Sequence, residues 1–432
     1  MKAKLEIALS KRKILKKQEA SRHPEKVRPA EVRGKQALTS QKNMVEATSA
    51  AEKFCTLFER NPCEADMEHQ QVESGQDIQA VDLFCGAGGL SCGLKQAGIG
   101  VVAGLDFDSK CKFPFTENIG AAFLGQDLAS TPSESLAAYF NSPRYSLIAG
   151  CAPCQPFSTL SNGSDRRKSS KWPLLRHFGR VVADIQPDLV TMENVPVLQK
   201  EEIFSEFLKG LQVQGYSVVF KVMDASKYGV PQRRKRLVLL ASKLGPIRII
   251  SPEELGLTEK TVRQAIGHLP PVPAGTTSET DSLHRAQSLS PINMRRMKHS
   301  KPGGTWEDWP SDLLLACHKK PGGSTYKSVY GRMEWDKPSG TMTTQSYSFG
   351  TGRYGHPEQD RSLTLREMAI LQSFPDDYKF VPDDQVPEFS PVGRLIGNAV
   401  PVQLGYVIGM SIQQHINEHE SLEIAEQAQF SI

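Results

Sequence analysis

The chain carries the stretch YSLIAGCAPCQPFS at residues 145–158. Its first five residues have the composition of a short buried strand, which Gly150 and Pro153 break. Cys154 is therefore expected on a turn at the carboxyl end of a strand, the edge at which open α/β sheets bind ligands. A thiol that is held rigidly there and partly exposed is well placed to act as a nucleophile.

Strands and helices alternate on both sides of this stretch. The apolar patterns predict strands at 80–84, 101–105, 122–124, 145–149, 189–192, 216–222 and 236–241, and helices at 90–97, 109–118, 174–185 and 202–213. This alternation predicts an α/β fold with a mostly parallel sheet and helices on both faces. Residues 245–355 are rich in Pro, Gly and Ser, which indicates a loop-rich region. Further helices are expected at 364–374 and from Gly397 to about Ile416.

Composition excludes several classes of protein. With 39% hydrophobic and 23% charged residues among 432, the chain matches an ordinary globular protein, and no apolar run approaches the ~18 residues of a membrane span. A basic start without a following apolar stretch leads us to expect no secretory signal. Eight cysteines without a paired framework indicate reduced thiols in the cytoplasm.

The charge is distributed unevenly along the chain. Residues 1–43 carry a net charge of +9, whereas the remainder carries −5. A polyanionic partner would therefore meet a basic arm and local basic patches rather than a uniformly positive body. A solvated tail accounts for the arm equally well.

A glycine loop follows the first predicted strand. Residues 82–89 read Asp-Leu-Phe-Cys-Gly-Ala-Gly-Gly, open a helix, and precede by 20 residues an acid, Asp106, at the end of the next strand. Glycines let the backbone approach a nucleotide, and the acid can bond ribose hydroxyls. The loop favours a nucleotide cofactor without choosing among NAD, FAD and S-adenosylmethionine.

Cys151 and Cys154 form a C-x-x-C pair, so redox and zinc interpretations must be weighed. Zinc would require a second ligand pair, and none has suitable spacing, so we expect no metal site. A redox pair would be expected to open a helix without Pro156 behind it. The bland alternative, a buried structural thiol, suits Cys151, whereas the position of Cys154 favours catalysis.

Two further polar motifs adjoin strands: one follows the fifth predicted strand and the other precedes the last. Glu193 follows the fifth strand, where desolvation favours the protonated form of a carboxyl and hence a general acid, although a structural carboxylate is as plausible. The run Gln-Arg-Arg-Lys-Arg at 232–236 precedes the last strand. Arg234 and Arg236 would share one face there and could grip a phosphate and a base oxygen.

These elements, in this order, resemble the DNA (cytosine-5)-methyltransferase family of the bacterial restriction-modification type. The resemblance covers about residues 78–241 and 361–416 and is carried by six ordered motifs. They are residues 82–89, Pro153-Cys154-Gln155, Glu193-Asn194-Val195, Gln232-x-Arg234-x-Arg236, Arg366-Glu367 with Gln372-x-Phe374-Pro375, and Gly397-Asn398-x-Val400. It implies a Rossmann-like methyltransferase fold that binds S-adenosylmethionine.

The resemblance also assigns roles to residues of this chain. Cys154, with Gln155 beside it, would be the nucleophile at C6 of a cytosine; Glu193 would bond N3 and the exocyclic amine, and Arg236, supported by Arg234, would bond O2. The residues expected to contact the cofactor are Phe84, Gly86, Gly88, Leu90, Asp106, Phe107, Asp127, Pro153, Asn398 and Val400. Asp106 is one methylene shorter than the Glu common at this place in the family.

DNA contacts are expected from two regions. Residues 161–172 correspond to the family's mobile catalytic loop and depart from its usual pattern at 168–172. The residues available for DNA are Ser158, Arg166, Arg167 and Lys168 before and within this loop, and Arg295, Arg296 and Arg332 in the target-recognition region. For each of these residues alone, a solvated surface position is the simpler interpretation.

The expected organisation has five parts. These are a basic N-terminal extension that is partly disordered or helical (1–77), a catalytic and cofactor-binding domain (78–244), a target-recognition domain (245–360), C-terminal motifs whose last helix returns to the catalytic domain (361–420), and a tail (421–432). We expect a monomer that binds double-stranded DNA and no membrane, with a cognate restriction endonuclease as a further partner. The alternatives are a transfer-RNA cytosine-5 methyltransferase and a non-catalytic DNA-binding regulator on the same fold.

Overall fold

The computed structural model describes residues 77–153, 174–320 and 326–430, with the side chains of 428–430 left out. The predicted basic arm and the short helix expected at 51–58 lie outside these ranges. The predicted nucleophile Cys154, its neighbour Gln155 and four predicted DNA contacts (Ser158, Arg166, Arg167 and Lys168) lie outside them too.

A seven-stranded sheet forms the centre of the molecule. Its strands are β1 (Ile78–Leu83), β2 (Gly100–Leu105), β3 (Ala122–Leu124), β4 (Tyr145–Gly150), β5 (Leu189–Asn194), β6 (Ser217–Asp224) and β7 (Lys235–Ser242). They lie in the order β3-β2-β1-β4-β5-β7-β6. The pairs from β3 to β5 are parallel, whereas β7 is antiparallel to both of its neighbours. The prediction of a mostly parallel sheet is confirmed, with one reversed strand.

Helices cover both faces of the sheet. In the described residues they are α1 (Gly89–Gln96), α2 (Lys112–Ile119), α3 (Ser133–Ala137), α4 (Leu174–Ile185), α5 (Glu202–Val213), α6 (Val262–Ile266), α7 (Pro291–His299), α8 (Leu365–Leu371), α9 (Phe389–Asn398) and α10 (Val402–Phe430). Successive side chains of β1 point to opposite faces of the sheet, as in any β-strand. Ile78 packs with α1 and α10, and Val81 packs with α4 and α5.

Two helix boundaries near the C-terminus differ from the prediction. Gly397 lies in the last turn of α9 and so ends a helix rather than opening one, because Ala399 has extended backbone and Pro401 follows it. The last helix, α10, continues past Ile416 to Phe430. Its first half is buried against the sheet, but its second half is exposed and polar, which is why apolar periodicity alone does not reveal it.

Glycines allow α10 to lie very close to α1. A Cβ at Gly93 would lie 2.2 Å from the carbonyl oxygen of Val402 and 2.4 Å from the amide nitrogen of Tyr406, and a Cβ at Gly405 would lie 2.8 Å from the carbonyl oxygen of Leu90. Real Cβ atoms do not approach backbone so closely. The helix that closes the chain is therefore seated directly on the helix that follows the glycine loop.

The loop-rich character expected of residues 245–355 is found in the described part of that region. It holds the short helices α6 and α7 and several single turns of 3-10 helix. A small separate core of Met297, Trp306, Trp309, Leu313 and Phe349 stabilises it. All described residues belong to one compact unit that spans Gln70–Ile432, so the domain boundaries proposed from the sequence stay predictions.

One helical stretch, Phe389–Gln427, is long and apolar enough to cross a membrane by length and composition alone. Its most apolar window is 78% buried inside the structure, as expected of a core helix.

We expect Gly93→Ala to lower the free energy of unfolding by about 2 kcal/mol, because the added methyl must push α10 away from α1. Gly210→Ala is the matched control, since Gly210 also lies within a helix but its Cβ would meet nothing within 4 Å. That control should leave stability equal or slightly higher. Thermal and urea unfolding of both variants measure the difference, and equal behaviour of the two would contradict close packing at Gly93.

Candidate active site at the carboxyl edge of the sheet

The glycine loop between β1 and α1 has a strained backbone. Phe84, Gly86 and Gly88 all have positive φ angles, of 61°, 54° and 88°. The conformation is unusual for Phe84, since a non-glycine residue seldom adopts it. A Cβ at Gly86 would meet nothing within 4 Å, whereas one at Gly88 would lie 2.9 Å from the hydroxyl oxygen of Tyr378. The loop is thus packed from behind at Gly88 and open at Gly86.

Acidic and aromatic groups follow the next two strands. Asp106 Oδ2 accepts a hydrogen bond from the Gly86 amide at 3.0 Å, and Asp106 Oδ1 accepts one from the Asp108 amide at 2.9 Å. Burial raises the pKa of Asp106. The Phe107 ring is 70% exposed, and Asp127 accepts a hydrogen bond from the Ala129 amide at 3.0 Å. These groups lie beside the open side of the glycine loop, where a nucleoside would find a carboxylate and an aromatic face.

The other residues predicted to contact a cofactor are placed differently. The side chains of Leu90 and Val400 are 3% and 5% exposed and lie in the core between α1 and α10. Only their backbones could contact a ligand. The carbonyl oxygen of Val400 would lie 2.2 Å from a Cβ at Gly89, so the C-terminal motif touches the loop directly. Asn398 is exposed and Pro153 is partly exposed.

The backbone that leads into Cys154 is anchored from both sides. The Cys151 amide donates to the carbonyl oxygen of Leu83 in β1 at 3.2 Å. Asn194 Nδ2, at the end of β5, donates to the carbonyl oxygen of Ala152 at 2.9 Å. A Cβ at Gly150 would lie 2.5 Å from the same Leu83 oxygen, so only glycine fits there. The backbone of Gly150, Cys151 and Ala152, which precedes the predicted nucleophile, is therefore held in a fixed position.

Glu193 lies at the centre of this edge and is 2% exposed. Its Oε1 lies 2.8 Å from Nε of Arg236, which makes an ion pair, although Oε1 has no hydrogen bond of good geometry within the described residues. Its Oε2 accepts a hydrogen bond from the Cys151 thiol at 2.8 Å. The structure thus brings Glu193 and Arg236 together, as predicted, and adds Cys151.

Arg234 does not reach this site, which corrects the expectation that it grips the substrate together with Arg236. It is 4% exposed and donates to the carbonyl oxygens of Met342, Gly397 and Ala399 at 2.9, 3.3 and 3.3 Å. Its charge is stabilised by carbonyl dipoles that come from distant parts of the chain. Arg234 precedes β7, and burial keeps its guanidinium away from the cavity that Arg236 lines with Arg233 and Lys235.

The predicted DNA contacts of the recognition region divide into two groups. Arg295 is exposed and pairs with Asp312 at 2.6 Å, and Arg296 lies over the rings of Trp309 and Tyr330. Both retain some access to solvent.

Arg332 corrects the prediction, because it is 5% exposed and cannot reach a phosphate. Its guanidinium donates to the carbonyl oxygens of Met297, Ser300, His356 and Gln359. It also pairs with Asp360. This arginine holds the recognition region together.

Three functional candidates, Arg233, Lys235 and Cys151, were missed from the sequence. In the run 232–236, Gln232 and Arg234 are buried while Arg233 and Lys235 are exposed beside Arg236. The period-2 alternation of residues 232–235 could have indicated that Arg233 and Lys235 are exposed where Gln232 and Arg234 are buried. The thiol of Cys151 carried no comparable signal.

Comparison with known proteins identifies the family. The family model for C-5 cytosine-specific DNA methylase matches residues 78–414. The chain belongs to the C-5 cytosine-specific DNA methylase family. It is therefore a DNA (cytosine-5)-methyltransferase, an enzyme class whose members use S-adenosylmethionine as the methyl donor.

Bacterial Type II methyltransferases are among the relatives of this methyltransferase. It is 46% identical to the Type II methylase M.HgiDII of Herpetosiphon aurantiacus, over 78% of this chain and 95% of that protein. It is 32% identical to the Type II methyltransferase M1.HphI of Haemophilus parahaemolyticus, over 77% of this chain and 86% of that protein. A solved Escherichia coli structure is titled a putative DNA modification methyltransferase encoded within a prophage. The match has a TM-score of 0.61 at 23% identity and covers 79% of this chain and 99% of that chain. This likeness shows a shared fold.

The residues at the carboxyl edge fit S-adenosylmethionine. The space at Gly86 is open, Asp106 is fixed by two backbone amides, and the Phe107 ring is available for stacking. Asp82, behind the loop, is 1% exposed; its Oδ2 accepts from the Ser91 hydroxyl at 2.6 Å, while Oδ1 has no hydrogen-bond partner in the described ranges. Burial raises the pKa of Asp82 to about 7.

This raised pKa predicts a pH-dependent stability. The protonated Asp82 carboxyl is favoured in the folded chain, so its contribution is fully present below the ordinary value of 3.8 and is lost as the pH rises to about 7. The free energy of unfolding of the wild type relative to Asp82→Asn should therefore fall between pH 4 and pH 7. Urea unfolding of both proteins, with Asp77→Asn as an exposed control, measures it; a constant difference would contradict the prediction.

Proposed function

We propose that this enzyme transfers a methyl group to C5 of a cytosine extruded from a specific double-stranded DNA sequence, through a covalent bond between Cys154 and C6. The observation that carries the proposal is the ion pair of buried Glu193 and partly buried Arg236, 2.8 Å apart, beside the anchored backbone that precedes Cys154. A carboxyl and a guanidinium so placed match the N3, amino and O2 groups of a cytosine. The family and the Type II relatives support the substrate class.

The residues divide the work as follows. Addition of the Cys154 thiolate to C6 forms an S–C6 bond, while Glu193 donates a proton to N3 and Arg236 bonds O2, which leaves C5 nucleophilic. When bound, S-adenosylmethionine supplies the electrophilic methyl group. Solvent then accepts the C5 proton, and the released electron pair re-forms the C5–C6 double bond and breaks the S–C6 bond. N3 returns its proton to Glu193, so that the free enzyme is regenerated. Asp106 and Phe107 would hold the nucleoside of the donor, with Gly86 leaving room for it.

Extrusion of the base follows from where these groups lie. Glu193 is buried at the sheet edge, and a base stacked within a duplex cannot reach it. Unstacking and unpairing a base requires a few kcal/mol, which hydrogen bonds from Glu193 and Arg236 to the Watson–Crick edge offset.

The alternatives are a transfer-RNA methyltransferase and a silent DNA-binding regulator. Val195-Pro196-Val197 follows Asn194, which departs from the Cys-Phe-Thr expected of the RNA branch. The preserved pair of Glu193 and Arg236, with Cys154 in the sequence, argues against a silent protein. The Type II relatives support a role in modification. We propose that the enzyme acts as a monomer and has a cognate endonuclease as partner.

We further propose that a cavity beside Arg236 receives the DNA backbone. It has a volume of about 640 Å³ and is lined by Pro196, Asp224, Ser226, Arg233, Lys235, Arg236, Glu259 and Thr341. Its two carboxylates share the Ser226 hydroxyl at 3.1 and 3.0 Å. Neither Arg233 nor Lys235 forms an ion pair within the described residues, so both cations remain available for a phosphate next to the extruded base.

Catalysis by the purified chain is the direct test. We expect tritiated methyl transfer to mixed-sequence duplex DNA and not to transfer RNA, and we expect Cys154→Ser to abolish transfer by at least 1000-fold, on the order of the loss of a nucleophile. The same variant should bind the methyl donor as the wild type does, measured by calorimetry. Transfer to RNA, or turnover by Cys154→Ser, would refute the proposal.

Neutralising the cavity cations should weaken DNA binding in a salt-dependent manner. For Arg233→Gln combined with Lys235→Gln, we expect the slope of log affinity against log salt to shrink by roughly 1 to 2, because fewer counterions are released. Lys209→Gln combined with Lys221→Gln removes two exposed charges elsewhere and is the matched control. Fluorescence anisotropy on a labelled duplex measures both slopes, and equal slopes would remove the cavity from the DNA interface.

A further inference from the structure

The Cys151 thiol contacts the carboxylate that the proposed reaction depends on. Strands β4 and β5 are parallel, with Gly150 opposite Met192. The residues that follow, Cys151 and Glu193, therefore emerge side by side at the carboxyl edge. Their side chains meet, and the thiol donates to Glu193 Oε2 at 2.8 Å.

This contact fixes the second oxygen of the carboxyl group, which the ion pair does not hold. Arg236 Nε lies 2.8 Å from Oε1, but Oε1 has no hydrogen bond of good geometry in the described ranges. A carboxylate oxygen has two lone pairs, so Oε2 can accept from the thiol and still face a base. The thiol thus restricts rotation of the carboxyl group and leaves one acceptor position free on Oε2.

The backbone from which the Cys151 side chain extends is itself held in place. The Cys151 amide donates to Leu83 at 3.2 Å, and the residues on either side are held by close packing at Gly150 and by the Asn194 amide at Ala152. A side chain that starts from so fixed a backbone can orient its neighbour, whereas one on a loose loop could not.

We propose that Cys151 is a positioning residue, which orients the Glu193 carboxyl group toward the extruded cytosine. This inference rests on the proposed role of Glu193 and adds a residue that none of the family motifs contains. Cys151 takes no part in bond formation; it acts through Glu193. The role needs a short side chain with a hydrogen-bond donor at position 151, and serine also has these properties.

The first test compares three single variants by single-turnover methyl transfer. We expect Cys151→Ala to slow transfer about tenfold, because the hydrogen bond that orients the Glu193 carboxyl group is lost. Cys151→Ser should recover the rate to within about threefold of the wild type. Cys92→Ala is the matched control, since Cys92 is a buried thiol distant from Glu193, and it should transfer at the wild-type rate.

Two binding and stability readouts exclude a merely structural role. Donor affinity by calorimetry and the thermal midpoint should be the same for Cys151→Ala and Cys151→Ser. If Cys151→Ala transfers at the wild-type rate, or if serine recovers no activity, the inference is overturned.

The second test asks whether Cys151 acts through Glu193. In a Glu193→Ala background the additional Cys151→Ala change should slow transfer by less than twofold, because the acceptor is absent. A tenfold loss in both backgrounds would overturn the inference and leave the role of Glu193 intact. Full activity of Glu193→Ala itself would instead refute the proposed function, so the two failures are distinguishable.

Discussion

The reversal of strand β7 is the constraint on which the active site depends. In a parallel sheet, only residues that follow a strand reach the carboxyl edge. Because β7 is antiparallel to β5, with Asn194 opposite Leu237, a residue at its beginning arrives at that edge as well. Arg236 thereby reaches Glu193, and the buried acid acquires a cationic partner.

The other arginines and glutamines in and near the motifs mostly stabilise the fold by joining separate segments of the chain. Arg234 and Gln232 join the entry of β7 to the backbone of the recognition region at Met342 and to the C-terminal motif. Arg361 pairs with Glu367 at 2.7 Å with both side chains 1% exposed, and Arg366 pairs with Asp281 at 2.6 Å. Removing one partner of such a pair leaves a buried charge uncompensated, at about 3–5 kcal/mol. These contacts hold the recognition region on the catalytic core.

Much of the scaffold could be predicted from local pattern. The seven strands and the helices at 174–185 and 202–213 were recognisable because each has one apolar face or a continuous apolar run. Two errors at the C-terminal end have a common cause. The end of α9 depends on the backbone at Ala399, and the second half of α10 is polar on all sides, so neither boundary has a periodic signal.

The sequence alone determined the enzyme class, the order in which polar motifs adjoin the strands, and the residues from which a cytosine site could be built. The tertiary structure decided which of those residues meet. Charged side chains look equivalent in a sequence, yet Arg332 and Arg234 are enclosed by carbonyl groups while Arg233 and Lys235 face solvent. Strand direction and the register of β4 with β5 are set by contacts between residues about 40 positions apart, and no local pattern carries that information.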